Sequence, residues 1–184
     1  RKKFDTKKQN RIISQLDFSL TNDQNKTLNE INRDLSSENR MFRLLQGDVG
    51  SGKTIVSLLS AFNTINSGFQ VAIMAPTEIL ARQHYLLAKK VFPKNINIEL
   101  LSGKSAYKDK KNILRKISNH QIDIVFGTHA LFQKKVEFRK LGLIVIDEQH
   151  KFGVYQRKKL SDKAGNDCDV LLMTATPIPR TLTM

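Results

Sequence analysis

Two rhythms of apolar residues alternate along the chain. Short apolar runs recur at Arg43–Gln46, Val71–Ala75, Ile96–Leu101, Ile122–Phe126, Leu143–Ile146 and Val170–Met173. Runs of this length that are apolar at nearly every position are the mark of strands buried on both faces. Between them the apolar residues take helical spacing. Leu28, Ile31 and Leu35 share one face of a helix that starts at Thr21, where Thr21 and Gln24 form a capping box, and ends at Ser36–Asn39. Ile55, Leu58, Leu59 and Phe62 mark a second helix, with Gly68 suited to its C-terminal cap. Residues 78–92 form a third, with Glu78 in the first turn, Lys89 and Lys90 in the last, and Pro93 as the stop. Residues 105–118 and about 151–161 are also helical in pattern. Strands alternating with helices in this way predict an α/β fold, a mainly parallel sheet with helices on both faces. Residues 1–15 are basic and weakly patterned and read as a linker remnant, which leaves 16–184 as the domain.

Composition narrows the class. The 184 residues are 40% hydrophobic and 26% charged, enough to bury a core, which excludes global disorder. The run from Leu141 to Ile146 is too short to cross a bilayer, and Arg1, Lys2 and Lys3 lead into Phe4 and Asp5 rather than a signal peptide. Cys168 is the single cysteine, so no internal disulfide can form; a reducing, cytoplasmic location is expected. No Cys/His cluster of zinc type is present. Lys plus Arg is 31 and Asp plus Glu is 17, so the net charge is 31 − 17 = +14. That charge suits an anionic partner such as nucleic acid, and equally a lysine-rich solubilising surface. With no initiator methionine and an abrupt end at Met184, the chain reads as a segment of something longer.

The chemistry is concentrated in two motifs. Gly47-Asp48-Val49-Gly50-Ser51-Gly52-Lys53-Thr54 matches G-x-x-x-x-G-K-[ST] in full, between a predicted strand and a predicted helix. Its glycines permit backbone N–H groups to converge on phosphate oxygens, and the helix start adds its positive dipole end. Lys53 is expected on the β- and γ-phosphates and Thr54 on Mg²⁺. The second motif is the apolar strand that ends in Asp147 and Glu148. Asp147 would hold Mg²⁺ and Glu148 would act as general base toward the attacking water.

Asp147-Glu148-Gln149-His150 resembles the D-E-x-H box of superfamily 2 helicases. Further segments agree in order: Ala75-Pro76-Thr77-Glu78 is similar to motif Ia, Leu101-Ser102-Gly103 to the segment after it, Gly127-Thr128-His129 to motif Ib, and Thr174-Ala175-Thr176 to motif III. Leu20-Thr21 with Gln24 is similar to the Q motif, whose glutamine reads adenine. The strings APTEILARQH, GTHALFQ, IDEQHKFGV and TATPIPRTL resemble the RecG family of branched-DNA helicases. The Mfd family of transcription-repair coupling translocases is the near neighbour; it typically reads GFGKT and DEEH where this chain has GSGKT and DEQH. The resemblance spans roughly residues 16–184. It implies a RecA-like P-loop NTPase domain that uses ATP and Mg²⁺, with branched double-stranded DNA and a second RecA-like domain of the same protein as partners, in a monomer.

The same resemblance assigns roles. Lys53, Asp147, Glu148 and His150 would be catalytic. Gln24 and Gly47 through Thr54 would hold nucleotide, with Thr54 and Asp147 on the metal. Gln149, Thr174 and Thr176 would couple hydrolysis to DNA. Pro76, Thr77, Arg82, Gly103, Thr128 and His129 would face DNA. Gln24 also has a purely structural reading as the capping-box partner. The basic stripe Lys104, Lys108, Lys111 and Arg115 reads first as a solvated helix face. Arg180 could face DNA or the second domain. His84 and His120 carry no signal, and Cys168 reads as an inert thiol. The family's second motor domain with its arginine finger, and its wedge domain, are not in the 184 residues, so this segment alone is expected to be nearly inactive. Two alternatives stay open: an Mfd-like translocase, and a non-hydrolysing DNA-binding module.

Overall fold

A computed structural model describes residues 2–46, 51–147, 162–163 and 168–174. The elements in chain order are α1 (Thr6–Ser14), α2 (Asn22–Ser36), β1 (Phe42–Gln46), α3 (Ser51–Asn66), β2 (Gln70–Met74), α4 (Glu78–Val91), β3 (Ile98–Leu101), α5 (Tyr107–Ser118), β4 (Ile124–Gly127), a short 3-10 turn (His129–Phe132), β5 (Leu141–Asp147) and β6 (Asp169–Thr174). The six strands form one sheet in the order β1-β6-β5-β2-β4-β3. Every pairing is parallel. The α/β fold expected from the alternating pattern is thus the one formed. The expected helix at 151–161 lies outside the described residues.

Because strand side chains alternate, each strand supplies both faces of the sheet. Val71, Ile73, Leu143, Val145, Leu171 and Met173 pack into a core with Leu58, Leu59 and Phe62 of α3 and Ala88 of α4. Ala72, Met74, Ile144, Ile146 and Val170 pack on the other face with Ile113 and Ile117 of α5 and with Leu131 and Phe132. This two-sided burial is why the strands read as unbroken apolar runs.

The caps follow the sequence. Thr21 Oγ1 accepts from Gln24 N at 3.1 Å, and Thr21 N donates to Gln24 Oε1 at 2.8 Å. Thr77 caps α4 by accepting from Leu80 N at 3.2 Å. Gly68, just past α3, has φ of +92°, a conformation that costs glycine little and other residues more. β3 and β4 start two residues later than their apolar runs. Ile96 and Ile122 are buried outside the ladder, and Asn97 N instead donates to Asp123 Oδ2 at 2.8 Å.

The largest departure is at the N-terminus. The stretch read as a linker remnant forms α1, capped by Asp5, which accepts from Lys7 N at 2.9 Å. Its inward face carries Ile12 and the buried amide of Gln9. Gln9 Oε1 accepts from Asn32 Nδ2 at 2.8 Å and from Asn63 Nδ2 at 2.7 Å, so three amides tie α1, α2 and α3 together. Only Ile12 and Ile13 are apolar in α1, and they are adjacent, so no repeat of apolar positions announces the helix. Further upstream, buried Lys2 forms an ion pair with Asp169 at the start of β6, at 2.6 Å.

Candidate functional site

In an all-parallel sheet the C-terminal ends of the strands share one edge, and ligands of such folds bind along it. This edge divides into two halves. On the β1-β6-β5 half, β1 leads toward α3, whose first turn holds Gly52, Lys53 and Thr54. The first N–H groups of a helix have no intrahelical acceptors, which makes a helix start a ready site for an anion. Gly52 is where α2 and α3 meet: a Cβ there would lie 2.4 Å from Gln24 Nε2. The Gln24 amide therefore has two neighbours, its oxygen held by Thr21 N and its nitrogen laid against the glycine of the phosphate motif. The capping-box reading of Gln24 is realised. Its oxygen accepts one bond in the box and keeps a second lone pair, and its nitrogen has two N–H donors.

Asp147 ends β5 on this half. By strand parity its side chain follows Leu143 and Val145 toward α3 and α4. It is 7% exposed, and its Oδ2 is 2.7 Å from His84 Nε2 on α4. His84 was not singled out from the sequence. Its signal was available: it replaces an apolar residue in the buried stripe Ala81–His84–Ala88 of α4. Thr174 ends β6, the strand between β1 and β5; it pairs with Gln46, and Met173 pairs with Asp147. Thr174 thus stands between the strand that leads to the phosphate motif and the strand that carries the carboxylate. Gly47, Asp48, Val49, Gly50, Glu148, Gln149, His150, Thr176 and Arg180 lie outside the described residues, and Ser51 enters only as the first residue of α3.

The donors on this half fit a magnesium nucleotide. A carboxylate and a hydroxyl are hard oxygen ligands, and Lys53 supplies charge for phosphate. Among the described residues no group of three or more His, Cys, Asp and Glu could hold a metal ion.

The β2-β4-β3 half carries the remaining candidates. Pro76 and Thr77 follow β2, Thr128 and His129 follow β4, and Gly103 follows β3, so all five leave adjacent strand ends. Arg82 is exposed on the second turn of α4, and His129 is exposed. Glu78 joins two of these segments. Its carboxylate accepts from Ser102 Oγ and from Gly103 N, each at 2.7 Å. The Ser102 hydroxyl and then the Gly103 N–H hold the Glu78 carboxyl below the usual carboxylate range. The clamp is therefore made above the ordinary carboxylate pKa and lost as pH falls through the lowered value. The Gly103 N–H is committed to Glu78, and Lys110 Nζ donates to the Gly103 carbonyl at 2.9 Å. Sequence reading had given Glu78 only a role toward the helix dipole.

Cys168 is buried, and desolvation raises its thiol to a pKa of about 12, so it stays protonated and unreactive at neutral pH, as expected. No helix among the described residues is long and apolar enough to cross a membrane.

A DEAD/DEAH box helicase family model matches residues 21–184. The chain belongs to the DEAD/DEAH box helicases. It is 51% identical over 183 residues to the ATP-dependent DNA helicase RecG of Bacillus subtilis, a match that covers 99% of this chain and 27% of that one. The RecG of Thermotoga maritima is 49% identical over 184 residues, covering 100% of this chain and 24% of the relative. The chain therefore spans about a quarter of the length of these relatives. Among solved structures, RecG bound to a three-way DNA junction superposes with a TM-score of 0.85 at 46% identity, over 99% of this chain and 24% of that one. The DEAD-box helicase Mss116 bound to single-stranded RNA superposes at 0.75 with 25% identity, over 96% of this chain and 40% of its own. The expected RecA-like fold is thereby established, and the chain is a RecG-like helicase motor domain.

Proposed function

We propose that this domain binds Mg-ATP on the β1-β6-β5 half of the sheet edge and branched double-stranded DNA on the β2-β4-β3 half, as part of a helicase that remodels forks and Holliday junctions in recombination and repair. What carries the reading is the shared edge: nucleotide-type residues leave one set of strand ends and DNA-type residues the adjoining set. Lys53 neutralises the β- and γ-phosphates, and the N–H groups at the start of α3 hold their oxygens. Thr54 and Asp147 would hold Mg²⁺, which when bound supplies charge neutralisation between the phosphates. Glu148 takes a proton from the attacking water, and Gln24 donates to the adenine edge. Catalysis in such a site rests on positioning and charge more than on covalent chemistry.

Coupling belongs to Gln149, His150, Thr174 and Thr176. Thr174 sits where a shift of β5 against β1 would be felt. A second RecA-like domain closes over the nucleotide and supplies the remaining charge, and the whole protein works as a cytoplasmic monomer. Thr77, Arg82, Thr128 and His129 meet the DNA backbone, which fixes register without reading sequence. The resemblance of the chain to RecG, and the junction-bound RecG structure with TM-score 0.85, support branched DNA as the substrate.

A salt titration tests the DNA half. Arg82→Ala is expected to weaken binding of a three-way junction to a similar degree whatever its sequence, and to reduce the slope of log affinity against log salt by about one. An unchanged slope would remove Arg82 from the DNA face.

A further inference from the structure

His84 presents a polar ring where the helical pattern calls for an apolar one. It occupies the sheet-facing stripe of α4 between Ala81 and Ala88. It is 8% exposed, and Asp147, its partner, is 7% exposed. Burying an imidazole and a carboxylate is costly unless they satisfy each other, and the 2.7 Å contact between Nε2 and Oδ2 does so. Facing a carboxylate oxygen, Nε2 carries the hydrogen and donates it. The small side chains of Ala81 and Ala88 let α4 lie close enough to the sheet for the ring to reach the end of β5.

We infer that His84 is a positioning residue for Asp147: by holding Oδ2 it fixes the carboxylate rotamer and leaves Oδ1 as the oxygen presented to a divalent cation. The inference rests on reading Asp147 as the metal-holding carboxylate. A carboxylate free to turn about its χ angles must be ordered each time the metal binds, whereas one held by a hydrogen bond is ordered in advance. Partners of this kind, which touch the ligand rather than the metal, are typically worth about 10–100-fold in metal affinity or activity. His84 also stands on the same helix as Thr77, Glu78 and Arg82, so the residue that sets the carboxylate rides on an element that the other half of the edge uses.

The test is electron paramagnetic resonance titration of Mn²⁺ into the 184-residue chain with ADP, beside ADP binding measured in excess EDTA. His84→Ala is expected to weaken Mn²⁺ affinity by about 10–100-fold, while ADP affinity in EDTA stays at the wild-type value. His84→Gln places an amide donor the same number of bonds from Cβ as Nε2 and is expected to restore most of the Mn²⁺ affinity. If His84→Ala loses its cooperative thermal transition, His84→Asn, one bond too short to reach Oδ2, takes its place with the same expectation. Equal Mn²⁺ affinity in wild type and the truncated variant, or an equal loss with and without metal, overturns the inference. Wild-type chain that binds no Mn²⁺–ADP overturns the nucleotide reading itself, and this inference falls with it.

Discussion

Lys53→Ala is expected to weaken nucleotide binding by about a hundredfold or more, with little change in stability. A charge-assisted hydrogen bond to phosphate is worth up to about 3 kcal/mol, and each 1.4 kcal/mol is a factor of ten. Lys53 would bring such bonds to two phosphates from the first turn of α3, where helix N–H groups favour an anion. Its side chain is half-buried at the edge of the domain, outside the apolar core, so truncation should move stability by no more than about 0.5 kcal/mol. Calorimetric titration with Mg-ADP and a thermal melt of the same sample check both parts. Wild-type affinity in the variant would remove the phosphate role from this loop.

Asp169→Ala is expected to do the reverse: a large loss of stability with nucleotide affinity kept in the fraction that stays folded. Asp169 begins β6, at the end of the strand away from Thr174 and the ligand edge. Its Oδ2 accepts from Lys2 Nζ at 2.6 Å and its Oδ1 from Met41 N at 2.7 Å. Lys2 also lies over the Phe69 ring, 4.8 Å from its centroid. Removing the carboxylate leaves a buried ammonium and a buried N–H without their acceptor. Breaking one side of a buried pair costs about 3–5 kcal/mol. For a chain of this size each kcal/mol lowers the melting temperature by about 2–4 °C. Urea unfolding followed by circular dichroism reads the loss, and a change below 1 kcal/mol would mean that the Lys2 clasp contributes little. Lys2→Met, which removes the charge and keeps most of the volume, should cost less, since Asp169 retains Met41 N.

These two substitutions mark what the sequence could and could not convey. Lys53 was legible because a phosphate loop is local: its glycines, lysine and threonine are neighbours in the chain, and their order alone defines the chemistry. The strands were legible for a similar reason, since burial on both faces leaves continuous apolar runs. Lys2–Asp169 joins residues from opposite ends of the chain, and no local pattern announces it. The same holds for His84 with Asp147 and for Glu78 with Gly103, where each partner is meaningful only beside the other. α1 is not legible because Ile12 and Ile13 are its only apolar residues and, being adjacent, show no repeat. Gln24 has two readings from sequence; the structure shows the capping-box one, with its oxygen in the box and its nitrogen against Gly52.

The proposed partition of the ligand edge would let one strand register serve two ligands. β5 and β2 are neighbours, so the last residue of the carboxylate strand and the start of the motif Ia helix sit side by side. α4 then reaches back over the same face to place His84 on Asp147. If DNA lies along the first two turns of α4 and Asp147 holds the metal, as proposed, α4 would give a physical path between the two events.

Whether the β1-β6-β5 edge is a magnesium-nucleotide site is decided by titrating the 184-residue chain with a fluorescent ATP analogue, in Mg²⁺ and again in excess EDTA. Saturable binding to one site, tightened by Mg²⁺ and displaced by unlabelled ATP, is expected. Binding that is absent, or that is indifferent to both Mg²⁺ and competing ATP, would contradict it.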